Sequence, residues 1–156
     1  MQKTRNKIIL VDDSIAMLDQ GKSILKKLYE VYPAESVAKL FEILKNIRAD
    51  IILLDIDMPE VDGYEAIKKL KADERNSDIP VIFMTAENNI DSERTGFGLG
   101  AVDFVTKPFS APLLLKRVEN QLLIVSKTKD LLACQEKLKE YEYANNLEAI
   151  DSGKND

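Results

Sequence analysis

Five short apolar runs alternate along the chain with longer segments that repeat at helical spacing. The apolar runs lie at 7–11, 29–34, 50–54, 80–85 and 101–105, and the intervening segments at 14–29, 36–47, 62–73, 89–98 and 110–125. Runs such as Ile51-Ile52-Leu53-Leu54 are continuous rather than alternating, which is typical of strands buried on both faces of a parallel sheet. Pro33 removes a backbone donor, so the second run suits only an edge strand or the start of a strand. The pattern predicts an α/β fold, a doubly wound five-stranded parallel sheet with five helices.

The last predicted helix extends beyond what a small sheet can cover, since neither glycine nor proline occurs from residue 113 to 152. We therefore predict a globular domain at 5–125 and a helical extension at 126–156. Five apolar positions follow steps of 7, 3, 4 and 3 residues, which suits a short coiled-coil seam that Lys127 and Asn145 interrupt. The seam positions are Ile124, Leu131, Cys134, Leu138 and Tyr141.

Composition excludes several kinds of chemistry. The 156 residues include no histidine, so Ser/His/Asp and Cys/His catalysis cannot operate within this chain. Cys134 is the single cysteine, which excludes an internal disulfide and suits a reducing compartment. A net charge of −5 argues against direct nucleic-acid binding by this segment, and no apolar run approaches the roughly 18 residues of a membrane span. We expect a cytoplasmic location without a membrane contact.

Polar side chains follow four of the predicted strands. Asp12 and Asp13 come after the first strand, Asp55 after the third, Thr85 ends the fourth, and Lys107 follows the fifth. The carboxyl ends of parallel strands meet at one edge of an open sheet, so these residues should converge on one crevice. Three converging carboxylates favour a divalent cation, and Mg²⁺ prefers such oxygen ligands. A lysine and a hydroxyl opposite them suit a transferring phosphoryl group, so the sequence predicts a Mg²⁺-assisted phosphoryl site.

At these positions the chain resembles the receiver domain of two-component response regulators, over about residues 5–125. The matching segments are Ile8-Ile9-Leu10-Val11-Asp12-Asp13-Ser14, Ile51-Ile52-Leu53-Leu54-Asp55-Ile56-Asp57-Met58-Pro59 with Asp62-Gly63, Val81-Ile82-Phe83-Met84-Thr85-Ala86, and Gly100-Ala101-Val102-Asp103-Phe104-Val105-Thr106-Lys107-Pro108-Phe109. The resemblance implies a flavodoxin-like sheet of order 2-1-3-4-5 and a regulatory role rather than an enzymatic one, limited to slow self-phosphorylation and autodephosphorylation.

The resemblance also implies a role for each site residue. Asp55 would accept a phosphoryl group from a sensor histidine kinase or a phosphotransfer protein, and Lys107 would pair with Asp55 and then with the phosphate. Mg²⁺ would be held by Asp13 and Asp55 directly, by Asp12 through water and by the backbone carbonyl of Asp57. Thr85 would move towards the phosphate and let Phe104 turn inward, which changes the face formed by the fourth helix, fifth strand and fifth helix. The Lys107-Pro108 bond would be cis.

Two acidic residues are specific to this chain at positions that, in receivers, influence the lifetime of the acyl phosphate. Asp57 and Glu87 stand two residues after Asp55 and Thr85. We expect them to affect the approach of water or of a phosphatase. The segment Gly96-Phe97-Gly98-Leu99-Gly100 follows a predicted helix rather than a strand, so we interpret it as a helix stop and turn and not as a nucleotide loop.

Other functions stay open at this stage. The run ending in Asp55-Ile56-Asp57 also matches the Asp-x-Asp motif of Mg²⁺-dependent haloacid dehalogenase-type phosphatases, although the order of the remaining acidic residues differs. A phosphorylation-independent interaction module is a further alternative. The helical extension resembles the linkers that join receivers to kinase, cyclase or phosphodiesterase outputs, and it equally suits a stand-alone regulator that forms a homodimer through this helix. We expect a downstream output domain or protein in either case.

Overall fold

Five strands form one parallel sheet in the order β2-β1-β3-β4-β5. The computed structural model describes residues 4–58, 63–86 and 90–153. The strands are β1 (Lys7–Val11), β2 (Glu30–Ala34), β3 (Ile51–Asp55), β4 (Val81–Thr85) and β5 (Asp103–Thr106). The predicted α/β class and the strand order implied by the resemblance are both confirmed. Pro33 lies on β2, an edge strand of the sheet, where a missing backbone donor is tolerated.

The register brings the ends of the strands into line. Val11 lies opposite Leu54, Asp55 opposite Met84, and Thr85 opposite Thr106. The residues that follow β1 and β5 therefore stand at the same edge of the sheet as the last residues of β3 and β4.

Helices separate the strands as the sequence predicts. They are α1 (Ile15–Leu25), α2 (Val37–Leu44), α3 (Gly63–Ala72), α4 (Ile90–Gly98) and α5 (Ala111–Gly153). Ser14 and Ser36 cap α1 and α2, their hydroxyls accepting hydrogen bonds from the backbone N–H of Met17 and Lys39. Asp62, which belongs to the segments that match the receiver family, lies outside the described residues.

Four strands differ from the predicted runs by one or two residues at a boundary, and local hydrogen bonds explain two of these differences. β2 begins at Glu30 rather than at residue 29, because the N–H of Tyr29 still donates to the carbonyl of Leu25 at the end of α1. β5 begins at Asp103 rather than at residue 101, because the N–H of Ala101 donates to the carbonyl of Gly96 and closes α4. Gly100 adopts a φ of 108°, a conformation that glycine tolerates. The glycine-rich segment is therefore a helix stop, as predicted.

The central strands are buried along their length. Residues 8–11, 51–55 and 81–85 are all buried, which explains why their sequences are continuous aliphatic runs. The core on one side of the sheet includes Leu40 of α2, Ile67 and Leu70 of α3, and Phe104 of β5. Hydrophobic burial on both faces of the sheet holds the strand ends, and hence the polar residues that follow them, in a fixed arrangement.

The chain divides into two compact units, residues 1–121 and 122–156. In the first unit, α5 contributes the buried residues Leu114 and Val118. In the second unit, the described residues are helical to Gly153, and the seam residues Ile124, Leu131, Leu138 and Tyr141 are exposed. Cys134 is a free, exposed thiol. The predicted domain boundary after residue 125 stays a prediction.

Among the described residues, no helix combines the length and the apolar character that crossing a bilayer requires.

Candidate functional site

Three polar side chains are buried within the described part of the chain, and all three were singled out from the sequence. Asp12, Asp55 and Thr85 are 1%, 2% and 2% exposed. Asp12 directly follows β1, whereas Asp55 and Thr85 end β3 and β4. A buried carboxylate is costly unless a cation or hydrogen-bond donors compensate it. This pair of buried acids therefore requires partners.

Lys107 provides the positive charge. Its Nζ lies 2.6 Å from Asp12 Oδ2 and 3.0 Å from Asp55 Oδ2, so one ammonium bridges both carboxylates. The N–H of Lys107 also donates to the carbonyl of Thr85 at 2.8 Å, which ties the segment after β5 to the end of β4. The peptide bond between Lys107 and Pro108 is cis, as the resemblance implies. The resemblance implied the contact with Asp55, whereas the shorter contact with Asp12 emerges only from the structure.

Backbone N–H groups bind the other carboxylate oxygens. Ser14 donates to Asp12 Oδ1 at 2.9 Å, and Asp57 donates to Asp55 Oδ1 at 3.0 Å. Asp12 Oδ2 is fully buried and lies 2.6 Å from the Lys107 ammonium, which occupies only part of its acceptor capacity. This oxygen thus retains the capacity to accept a further donor, such as a water bound to a cation.

The electrostatic balance shifts two pKa values. Burial raises the pKa of Asp55 from 3.8 to about 6, against the lowering effects of the Asp57 N–H and of Lys107, and the Asp12 charge adds to the rise. Burial by itself would lower the pKa of Lys107, but the carboxylates of Asp12 and Asp55 outweigh it and raise that pKa. Lys107 therefore stays protonated, while Asp55 is mainly ionised near neutral pH.

The acidic residues fit a divalent metal. Asp12, Asp13 and Asp55 each offer one carboxylate oxygen, and these atoms lie within 4.8 Å of one another. Two of the acids are buried and Asp13 is exposed, so the cluster has one open side. An all-oxygen set with few carboxylates and room for water is the donor chemistry that Mg²⁺ prefers. The residues present therefore fit the Mg²⁺ predicted from the sequence.

Phe104 is buried, at 8% exposure, close to the end of the sheet. Its ring packs between Phe83 of β4, at a centroid distance of 5.6 Å, and Phe97 of α4, at 5.1 Å. Its ring is thus inward, the orientation that the resemblance associates with a switch. Thr85 is also buried in this structure.

Gly63 supports the site although the sequence analysis gave it no separate role. A Cβ at this first residue of α3 would lie 2.6 Å from both the carbonyl oxygen of Asp55 and the Cα of Ile56. The N–H of Gly63 donates to the carbonyl of Ile56. The start of α3 therefore packs directly on the backbone that carries Asp55. The pair Asp62-Gly63 belongs to the segments that match the receiver family, but the contact of Gly63 with the Asp55 backbone requires the tertiary structure.

The two residues expected to influence phosphoryl lifetime differ in what the structure describes. Asp57 is exposed, and its backbone N–H binds the carboxylate of Asp55. Glu87 lies outside the described residues.

Comparison with known proteins identifies the family. The chain matches the family described as "Response regulator receiver domain" over residues 8–119. The chemotaxis response regulator CheY4 of Vibrio cholerae has a similar structure, with a TM-score of 0.72 and 28% identity, covering 76% of this chain and 99% of CheY4. This match does not favour the haloacid dehalogenase alternative, since the receiver family is regulatory.

Curated relatives are longer than this chain. A Vibrio cholerae protein named "Probable cyclic di-GMP phosphodiesterase" is 42% identical over 147 residues, covering 92% of this chain and 32% of that protein. The regulator RpaA of Synechocystis is 36% identical over 113 residues, covering 72% of this chain and 47% of RpaA. The chain thus spans about a third of the first relative and about half of the second. On the family match, this chain belongs to the response regulator receiver domain family.

Proposed function

We propose that Asp55 accepts a phosphoryl group from the phosphohistidine of a sensor kinase or of a phosphotransfer protein. The observation that carries this proposal is the buried pair Asp12 and Asp55 bridged by Lys107 at 2.6 and 3.0 Å. The phosphorus–nitrogen bond of the donor breaks as a bond forms between phosphorus and one Asp55 oxygen. The histidine leaves with a proton from solvent, and Asp55 becomes an acyl phosphate. Water later attacks the phosphorus and releases inorganic phosphate.

Each neighbouring residue has a task in this transfer. Asp12, Asp13, Asp55 and the backbone carbonyl of Asp57 would hold Mg²⁺, which supplies positive charge to the phosphoryl oxygens. Lys107 holds Asp55 before transfer and binds a phosphoryl oxygen afterwards, because its ammonium already lies 3.0 Å from Asp55 Oδ2. Thr85 provides a hydroxyl at the end of the neighbouring strand. Phosphorylation adds roughly −1.5 to −2 charges, enough to bias Thr85 and Phe104 and so the face of α4, β5 and α5.

Incubation with acetyl phosphate and Mg²⁺, followed by intact mass measurement, tests the transfer. We expect a gain of one phosphoryl group in the wild type and no gain in Asp55→Ala, with Asp19→Ala on the exposed side of α1 as a matched control. Equal gain in Asp55→Ala would contradict the assignment. So would the absence of any gain with both acetyl phosphate and a phosphorylated kinase.

The same assay, followed over time, compares the lifetime of the acyl phosphate in Asp57→Asn and in the wild type. Equal lifetimes would remove the proposed role of Asp57.

We propose that the output lies in cyclic di-GMP turnover rather than in DNA binding. Residues 126–156 make up 31 of the 156 residues, so an alignment that covers 92% of the chain includes most of them. The alignment with the DNA-binding regulator RpaA covers only 72% of this chain. The helical segment is thus shared with a relative named for cyclic di-GMP hydrolysis. Replacing the matching segment of that Vibrio protein with this chain should give hydrolysis that changes with acetyl phosphate, and the change should disappear with Asp55→Ala.

We also propose that the helical segment forms a homodimer through its seam. Ile124, Leu131, Leu138 and Tyr141 are 55%, 60%, 56% and 65% exposed, and their spacing suits a coiled coil. Light scattering should give a dimer mass for the whole chain and a monomer mass without residues 126–156. Leu138→Glu should also give a monomer, whereas Leu132→Glu, off the seam and 54% exposed, should leave the dimer intact. An unchanged mass on seam substitution or truncation excludes the seam.

We also propose a cytoplasmic location for this chain, in keeping with the proposed transfer of a phosphoryl group from a sensor kinase to Asp55.

A further inference from the structure

Gly96 lies on α4 where the helix meets the aromatic side chains of the sheet. A Cβ at this position would lie 2.5 Å from Phe104 Cζ and 2.7 and 2.9 Å from two ring carbons of Phe83. Distances under 3.0 Å are not sustained by real Cβ atoms, so any side chain here requires a ring or the helix to move. Phe83 is completely buried on the central strand β4, whereas Phe104 is 8% exposed on the edge strand β5.

The contacts of the Phe104 ring explain why the space beside Gly96 matters. The ring of Phe104 is tilted by 57° against Phe83 and meets Phe97 at 71°. Phe97, the residue after Gly96, is 49% exposed, so its ring covers Phe104 on the solvent side. Gly96 and Phe97 together form the part of α4 against which the inward Phe104 ring lies. The carbonyl of Gly96 also accepts the N–H of Ala101, which fixes the end of the helix.

A second glycine on the same helix provides a comparison. Glycine inside a helix costs on the order of 1 kcal/mol relative to alanine, so each one requires a reason. A Cβ at Gly98 would meet no atom within 4 Å, and no positive φ is found there. Gly98 can therefore be explained by its place at the helix end, whereas Gly96 cannot be replaced without displacing an aromatic ring.

We propose that Gly96 is a positioning residue for the switch, because its missing side chain leaves the space that the Phe104 ring occupies when it turns inward. The inference rests on the proposed function of Asp55 and Phe104. Coupling between two sites is reciprocal. If phosphorylation at Asp55 favours the inward ring, a side chain at position 96 that opposes the inward ring must weaken phosphorylation and the binding of phosphoryl mimics.

The test compares Gly96→Ala with Gly98→Ala in the whole chain. Both substitutions add one methyl group to α4, and neither glycine has a positive φ that alanine would strain. The probe is beryllofluoride with Mg²⁺, a mimic of a bound phosphoryl group. We expect its apparent affinity to fall about tenfold in Gly96→Ala and to stay within twofold of wild type in Gly98→Ala, in line with an allosteric coupling of typical size. Equal effects of the two substitutions would overturn the proposal.

A second readout follows the ring itself. In protein with ¹³C-labelled phenylalanine, relaxation of the Phe104 ring protons by a soluble paramagnetic chelate should increase in Gly96→Ala but not in Gly98→Ala. An unchanged Phe104 signal in Gly96→Ala would overturn the proposal, even if mimic binding were weaker. This readout needs no phosphorylation. A wild type that binds no mimic would therefore refute the function proposed for Asp55, while the ring measurement would still decide the role of Gly96.

A double substitution guards against a folding defect. The smaller side chain in Phe104→Leu removes the nearest contact of a Cβ at position 96. Because the contacts with Phe83 remain, Gly96→Ala should lower the thermal stability of the Phe104→Leu background less than it lowers that of the wild type, a non-additive result expected for residues in contact. If Gly96→Ala destabilises the Phe104→Leu background as much as it destabilises the wild type, Gly96 does not act through Phe104 and the proposal fails.

Discussion

Replacing Lys107 with alanine is expected to slow phosphoryl incorporation from acetyl phosphate about a hundredfold, the loss typical of removing one preorganised donor to a developing charge. Lys107 Nζ contacts both Asp12 and Asp55, so the substitution removes the one cation that the described site places between them. Intact mass measured over time gives the rate. Lys116→Ala, which removes an exposed lysine 4.0 Å from Glu119, is the matched control and should leave the rate unchanged.

The same substitution should lower the free energy of unfolding by about 3 kcal/mol in metal-free buffer, since it leaves buried carboxylates without their counter-charge. Urea unfolding at pH 7 measures this loss. Added Mg²⁺ should recover part of it, because a ligand that binds only the folded state stabilises that state. Lys116→Ala should change stability by less than about 0.5 kcal/mol, as expected of an exposed pair. A loss for Lys107→Ala no larger than for Lys116→Ala would show that the bridge does not hold the two acids.

Replacing Asp55 with asparagine should both abolish phosphoryl incorporation and raise stability at neutral pH in metal-free buffer. The pKa of Asp55 rises from 3.8 to about 6 on folding, so the folded state binds more protons than the unfolded state between these values. Stability therefore falls as the pH rises from about 4 to 6. Allowing for screening by solvent at the open side of the site, ionised Asp55 costs about 1 to 2 kcal/mol at pH 7.

Urea unfolding of both proteins between pH 4 and pH 8 with a chelator measures this effect. The difference between asparagine and aspartate should grow from near zero at pH 4 to its full size above pH 6. Titrating groups away from the site contribute equally to both proteins and cancel in the difference. A difference that is independent of pH, or that favours aspartate at pH 7, would contradict the raised pKa. Mg²⁺ should reduce the advantage of asparagine, because the metal favours the ionised carboxylate.

Much of the fold was predictable because local signals agreed with the global arrangement. The continuous apolar runs ending at Val11, Leu54 and Thr85 are buried strands, since strands covered on both faces need no polar side chain. Ser14 caps α1, and the glycines after Phe97 end α4 as predicted. The boundaries of β2 and β5 were less accurate, because hydrogen bonds from Tyr29 and Ala101 back to the preceding helices decide them.

The sequence predicted which residues form the site, but not the contacts between them. The crevice residues follow from strand order, because the carboxyl ends of parallel strands meet at one edge. The bridge from Lys107 to Asp12 joins residues that are far apart in the chain. The close approach of Gly63 to the Asp55 backbone, and of Gly96 to Phe83 and Phe104, joins residues on separate helices and strands. Sequence patterns record spacing along the chain, whereas these contacts depend on how closely packed helices and strands approach.

The sequence by itself determined the α/β class, the residues that converge at the sheet edge and the absence of histidine, which excludes this chain as a phosphohistidine donor. These properties follow from residue identity and periodicity alone. Only the tertiary structure decided that Asp12 and Asp55 share one ammonium, that burial raises the pKa of Asp55, and that Phe104 lies inward against Gly96. The physical reason is that charge pairing, desolvation and steric fit depend on distances across the fold, which sequence separation does not fix.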